Sequence, residues 1–317
     1  MDKDFALPDG QGIVYSKTIA SYTVHTGGRE LACALSPSLR RPRAARGPQP
    51  ADPVAVGDVV RFVTAANGAG QIVEVLPRRN HLARRSAVPM PGAHAFEQVI
   101  VANVDQVLPV FAVANPAPKW NLLDRYLALA ESLELPALVC LTKADLTPAA
   151  GDEFEEAVAE YHRLGYGLAL TSAATGAGLD HLRAALHGRV SVLLGKSGVG
   201  KTSLLTALEP GLGLRVAEVS RATGKGRHAT SQARLFPLAG GGALVDTPGT
   251  REFGLWDLDA DELALYFPEM RPWVGQCKFG LDCRHDEEPG CAIRQAVMQG
   301  RVSPRRYQSY LRLCAEA

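Results

Sequence analysis

The sequence predicts a multidomain chain: a small β-barrel, then an α/β domain built on a mostly parallel sheet, then a short metal-stapled tail. Three observations predict it. The first hundred residues hold about five short β-branched or aromatic runs punctuated by glycine. From about residue 99, apolar strand-like runs alternate with amphipathic helical stretches. Three of the six cysteines and one histidine then crowd into residues 277–291. A length of 317 residues suits two or three domains, and 46% apolar with 21% charged residues is ordinary globular composition, which excludes wholesale disorder.

In the first domain, taken as residues 1–98, the runs are Gly12–Tyr15, Tyr22–Val24, Glu30–Leu35, Gly57–Val63 and Gly70–Leu76. Residues 36–53 carry five prolines and four arginines without apolar periodicity, which predicts a mobile basic loop. In the second domain, residues 99–269, strands are expected at 99–104, 107–113, 137–141, 168–171 and 190–194, with helices near 122–130, 152–164 and 179–186. The third, residues 270–317, ends in a helix: Ser303 can cap it, Pro304 fits its first position, and Tyr307, Tyr310, Leu311 and Cys314 follow at helical spacing.

Net charge is +1, but it is segregated: +4 over residues 1–98 (12 Lys/Arg, 8 Asp/Glu), −6 over 99–269 (14 and 20), and +3 over 270–317 (8 and 5). Basic flanks fit a polyanionic partner. Arg78, Arg79, Arg84 and Arg85 could face such a partner or solvent. No run of about 18 uncharged apolar residues is present, and the first residues are acidic with no apolar core. A cytoplasmic monomer, with no membrane partner, is therefore expected.

The chemistry begins at residues 195–202. Gly195-Lys196-Ser197-Gly198-Val199-Gly200-Lys201-Thr202 matches G-x-x-x-x-G-K-[ST], and it lies between a strand and a helix that starts near Ser203, the context the motif requires. Backbone N–H groups of such a loop, with the helix N-terminus behind them, cradle phosphate oxygens. Lys201 is expected on the β- and γ-phosphates and Thr202 on Mg²⁺. Asp246-Thr247-Pro248-Gly249, ending a strand, is the expected second anchor. Asp246 would hold Mg²⁺ through water and the Gly249 N–H would sense the γ-phosphate. Between the anchors, Thr230 is the candidate switch threonine. Thr250 stands where many such enzymes place a water-orienting glutamine, so turnover should be slow and partner-dependent. His228 is the nearest candidate for orienting water, with simple packing in the loop as the alternative.

The base is named by Thr142-Lys143-Ala144-Asp145, which resembles N/T-K-x-D. Asp145 would accept from the guanine N1–H and N2 amino group, whereas adenine would leave it unpaired. The Lys143 stem would lie along the base. Ser172 and Ala173 resemble the companion loop, with the Ala173 N–H meeting guanine O6. Here the base loops precede the phosphate loop, the reverse of ordinary GTPases, so the domain is circularly permuted. The second anchor then leads straight to the Cys/His tail, which offers a route from nucleotide state to that tail.

Cys277-x₅-Cys283-x-His285-x₅-Cys291 supplies three thiolates and one imidazole, the ligand set of a closed structural zinc site. About fifty residues hold too little core to fold without such a staple.

Together these features resemble the small-subunit-dependent ribosomal GTPase family called RsgA or YjeQ. The likeness runs through VAVGDVVR (54–61), VLPRRNHLARR (75–85), VANVDQVL (101–108), NLLDRY (121–126), the phosphate loop, DTPGTREFGLW (246–256) and EPGCAIRQAV (288–297). The resemblance implies an OB-fold first domain that contacts ribosomal RNA, GTP hydrolysis stimulated by the small ribosomal subunit, and a role in that subunit's late maturation. Two departures stand out. The family usually has two threonines after the position of His228, where this chain has Ala229-Thr230, and its first zinc spacing is usually four residues rather than five. Two other readings remain: an ATP-using P-loop enzyme, and a nucleic-acid-binding module with a structural nucleotide site.

Overall fold

The computed structural model describes residues 8, 10–18, 21–40, 53–65, 68–85, 97–149, 151–212, 233–247 and 260–316. Five strands close the first barrel: β1 (Gln11–Lys17), β2 (Tyr22–Thr26), β3 (Arg29–Leu35), β4 (Val59–Thr64) and β5 (Gly70–Val75). They run in the order β1-β2-β3-β5-β4, β3 and β5 are parallel, and β4 returns to pair with β1. This is the five-stranded OB arrangement. Alternating residues Val14, Val24, Cys33, Val60, Phe62 and Ile72 point inward and fill it.

The segment 36–53 departs in part from the loop expected of it. Pro37–Arg40 forms one helical turn, α1, with Leu39 packed on the barrel core. Pro37 pre-sets the helical φ, and the Leu39 N–H reaches the Ser36 carbonyl at 3.1 Å. Residues 41–52 lie outside the described residues.

A second departure is the run at 99–104. It is expected to join the parallel sheet, yet β7 (Glu97–Ala102) pairs antiparallel with β6 (His81–Arg85) in a separate two-stranded sheet. The turn that follows, with Asn103 at φ 58°, redirects the chain into β8 (Gln106–Ala112). Strand β6 has the polar sequence HLARR and shows no clean alternation.

The α/β part contains β8, α2 (Trp120–Ser132), β9 (Leu138–Thr142), α3 (Asp152–Arg163), β10 (Gly167–Leu170), α4 (Leu179–Leu186), β11 (Val190–Leu194), α5 (Lys201–Leu208), β12 (Arg234–Pro237) and β13 (Ala243–Asp246). The order is β10-β9-β8-β11-β13-β12, parallel except for β12, which then pairs antiparallel with β1 and joins this sheet to the barrel. Strands β8, β9 and β11 are buried on both faces and read as continuous apolar runs. Along β8, Val107 faces the α2/α3 side with Leu123, Tyr126, Leu127 and Phe154, while Leu108 faces the α4/α5 side with Leu182, Leu186, Leu204 and Leu208. Helix α3 illustrates the local logic. Phe154, Ala157 and Tyr161 form its buried stripe, acids fill its first turn, and His162 and Arg163 its last.

The tail packs Met270, Ile293, Val302, Tyr310 and the three clustered cysteines in one core with Leu263 and Phe267, just before it, and Ala128 of α2. Its α-helices among the described residues are α6 (Ala292–Met298) and α7 (Pro304–Glu316). Helix α7 starts as expected, with the Ser303 carbonyl accepting from the Tyr307 N–H at 2.9 Å. It docks on α2 through a buried ionic cluster. Arg306 reaches Asp124 (2.7 Å) and Glu269 (2.6 and 3.0 Å), Arg305 reaches Asp124 (3.3 Å) and Glu160, and Tyr161 donates to Asp124 (2.6 Å). Asp124 is fully buried and Arg306 nearly so.

Candidate nucleotide site and metal centre

Strand β11 delivers the loop 195–200 to the C-terminal edge of the sheet, where open α/β sheets bind ligands. A close approach and a left-handed backbone explain two of its glycines. A Cβ on Gly195 would lie 2.4 Å from the Val110 carbonyl oxygen, and Gly200 sits at φ 95°, where a side chain is strained. Lys201 opens α5 and folds its ammonium back onto the Gly195 and Lys196 carbonyls of the same loop (3.0 Å to Lys196). Burial lowers the Lys201 pKa, while Asp246 opposes that shift. Thr202 and Ser203 lie in the first turn of α5, and the Thr202 carbonyl accepts from Thr206 at 2.9 Å.

Asp246 ends β13 beside this loop. Its Oδ1 is buried with no hydrogen-bond partner among the described residues. Burial raises its pKa, against the pull of Lys201 and the Thr247 N–H. An orphaned buried carboxylate oxygen next to a phosphate loop fits a hydrated cation. His228, Thr230 and Gly249 lie outside the described residues.

The base loops meet the phosphate loop directly. Thr142 ends β9 and donates its hydroxyl to the Val199 carbonyl and to that of Phe111 (3.2 Å). Lys143, at φ 58°, turns its ammonium onto the Gly198 carbonyl (3.1 Å) and the Asn115 carbonyl. Asp145 is exposed, and its Oδ1 accepts from the buried Ser172 hydroxyl at 2.5 Å. Ser172 Oγ in turn accepts from the Thr175 N–H (3.2 Å), and the Thr171 carbonyl accepts from the Ala144 N–H (3.0 Å). Ala173 follows, exposed. Thr142, Lys143, Asp145, Ser172 and residues 195–201 are thus tied into one edge. Ser172 is already spent on orienting the Asp145 carboxylate. Asn115, in the loop after β8, belongs to this constellation and carries no motif to announce it.

The metal centre gathers Cys277, Cys283, His285 and Cys291, with one ligand atom from each all within 4.8 Å of one another and all four side chains buried. Nδ1 of His285 lies 3.4 Å from Cys277 Sγ and 3.6 Å from Cys291 Sγ, which identifies the nitrogen that faces the cluster. The Tyr307 hydroxyl donates to the His285 carbonyl at 2.6 Å and fixes this residue from α7. Burial lowers the His285 pKa toward the neutral, ligating form, and pushes the Cys283 thiol up to about 12. Three soft sulfurs and one imidazole in a dry pocket fit zinc, whose charge would displace the thiol protons.

Comparison with known proteins follows the same lines. A model of the family described as RsgA GTPase matches residues 75–256. A small ribosomal subunit biogenesis GTPase RsgA of Gemmatimonas aurantiaca is 48% identical over 82% of this chain and 83% of that protein. One of Bacteroides fragilis is 37% identical over 95% of both. Among solved structures, YjeQ of Thermotoga maritima matches with a TM-score of 0.73 and 32% identity over 96% of this chain and 97% of that one. YloQ, described as a circularly permuted GTPase, matches with a TM-score of 0.68 and 26% identity, covering all of this chain and 97% of that one. On the strength of a family match over more than half its length and relatives aligned over most of it, this chain belongs to the RsgA GTPase family.

Proposed function

We propose that this protein hydrolyses GTP to GDP and phosphate in late maturation of the small ribosomal subunit, binds that subunit's RNA, and is stimulated by it. One observation carries the nucleotide reading. The Lys143 ammonium on the Gly198 carbonyl joins the guanine-reading loop to the phosphate loop at one edge of the sheet. Asp145, oriented by Ser172, takes the guanine edge, with the Ala173 N–H on O6. The loop 195–203 takes the phosphates, with Lys201 leaving its resting carbonyls for their oxygens. Asp246 and Thr202 would hold Mg²⁺, which supplies charge neutralisation at the phosphates. Thr230 and Gly249 are assigned to sensing the triphosphate and His228 to orienting water. Cys277, Cys283, His285 and Cys291 would hold one structural zinc ion.

The divisions 1–98, 99–269 and 270–317 are assigned to RNA contact, nucleotide chemistry and the zinc unit. The protein acts as a cytoplasmic monomer. Among the described residues no helix is long and apolar enough to cross a membrane.

The decisive experiment follows GTP turnover against small-subunit concentration at two salt levels, with ATP as competitor. Stimulation that weakens at high salt, with no competition from ATP, is the expected result. Turnover indifferent to subunits would favour a binding module with a structural nucleotide site, and effective competition by ATP would remove the guanine assignment.

A further inference from the structure

Pro77-Arg78-Arg79-Asn80 cross from the barrel to the β6–β7 hairpin. Two adjacent arginines in a basic domain suggest contact with RNA phosphate, yet each is matched to a carboxylate of its own chain. Arg78 clamps Asp58 through Nε (2.7 Å) and a terminal nitrogen (2.8 Å), and also reaches the Pro53 carbonyl (3.1 Å). Asp58 is fully buried and takes the Ala55 N–H as well. Arg79 binds Asp105 Oδ1 at 2.9 Å and the Asn103 carbonyl at 3.1 Å, and its own N–H donates to Asn103 Oδ1.

Asp105 makes the connection to the nucleotide site. Its second oxygen accepts the N–H of Val190 at 2.8 Å, and its N–H donates to the Val190 carbonyl. Val190 is the first residue of β11, the strand that presents the phosphate loop. Around these bonds lies a cavity of about 450 Å³ walled by Ile13, Val59 and Leu76 of the barrel side and Val190 and Leu235 of the sheet. The β1–β12 pairing and the shared packing of Ile13, Tyr15 and Val56 with Val190 and Leu235 join the two bodies. Across the gap itself, where close packing is missing, the polar bonds supply the contact.

We propose that Arg79 and Asp105 form an interdomain brace that holds the barrel in register on the phosphate-loop strand, and that this brace, rather than contact with RNA, is the role of Arg79. Asp105 is a positioning residue, acting on residues 195–202 through Val190. The functional half of this proposal rests on the reading that the small subunit stimulates turnover.

The test uses the full chain with Arg79→Ala, Asp105→Asn and the double variant. Binding to small subunits is measured between about 50 and 200 mM salt. Stimulated turnover and amide exchange over residues 190–194 are measured on the same proteins. A brace leaves the slope of log affinity against log salt unchanged in Arg79→Ala. Each single variant lowers stimulated turnover about fivefold, the double lowers it no further, and β11 exchanges about fivefold faster in Arg79→Ala. A slope smaller by about one would assign Arg79 to a phosphate and overturn the proposal. So would two single effects that multiply, or unchanged exchange. Should the unaltered protein ignore small subunits altogether, the functional reading fails, and exchange alone decides the brace.

Discussion

Among the described residues four ion pairs cross from the tail to helix α2, and two of them differ chiefly in burial. Arg306 meets Asp124 with side chains 1% and 0% exposed, whereas Arg271 meets Glu131 at 2.8 Å with side chains 51% and 25% exposed. Replacing Arg306 by Ala strips Glu269 of both guanidinium hydrogen bonds and leaves Asp124 with Arg305 at 3.3 Å and Tyr161 at 2.6 Å. It also removes a cation stacked 4.6 Å from the Phe267 ring. Breaking a buried pair on one side costs about 3–5 kcal/mol, while an exposed pair is worth about 1 kcal/mol or less. At about 2–4 °C per kcal/mol, Arg306→Ala should lower the unfolding temperature by about 6–20 °C, and Arg271→Ala by no more than about 4 °C. Burial disfavours the Arg306 charge, but Asp124 and Glu269 outweigh it and hold its pKa well above the ordinary value, so the contrast should persist across pH. Thermal unfolding followed by circular dichroism measures both. Equal shifts for the two variants would refute the argument that burial sets the strength of this interface.

Three further outcomes are expected. Asp145→Asn replaces an acceptor by an amide that donates, so GDP affinity should fall about a hundredfold while xanthosine diphosphate, with O2 in place of the amino group, is gained; titration with both nucleotides reads this. Asp246→Asn should raise the unfolding temperature of the nucleotide-free protein at pH 7. Its carboxyl has a raised folded-state pKa, so the folded state loses relative stability as pH rises through that value. The gain must therefore shrink as pH falls below it, and a gain independent of pH would contradict the orphaned-oxygen argument. Cys283→Ser should leave less than one equivalent of zinc by metal analysis and expose Cys277 and Cys291 to thiol reagents; full zinc retention would remove Cys283 from the ligand set.

What the sequence made legible was whatever repeats with a period or sits in a motif. The barrel strands, the doubly buried β8, β9 and β11, the phosphate loop and the Cys/His cluster follow from alternation, apolar runs and spacing. Strand β12 escaped because four residues, RLFP, with only Leu235 and Phe236 buried, carry too little pattern. The run at 99–104 looks like a parallel strand because it is apolar, and only the turn at Asn103 and the bonds from Asn80 show that it belongs to a hairpin. The docking of α7 was hidden for a different reason. Asp124 sits among Leu123, Tyr126 and Leu127, and an acid on an apolar face was the single cue to a buried partner 182 residues away. Asn115 contributes a carbonyl, which any residue would supply, so no residue type could mark it.

The strand order also bears on how the sheet is assembled. Strands β8, β9 and β10 are contiguous both in the chain and in the sheet, and α2 and α3 cover them. The half of the sheet that carries Thr142–Asp145 and Ser172 is therefore built from contacts local in sequence. Strand β11 and the loop 195–202 add along the other side of β8. Residues 142–145 and 195–202 therefore come together only when β11 docks on β8, so a long-range pairing closes the edge that carries them.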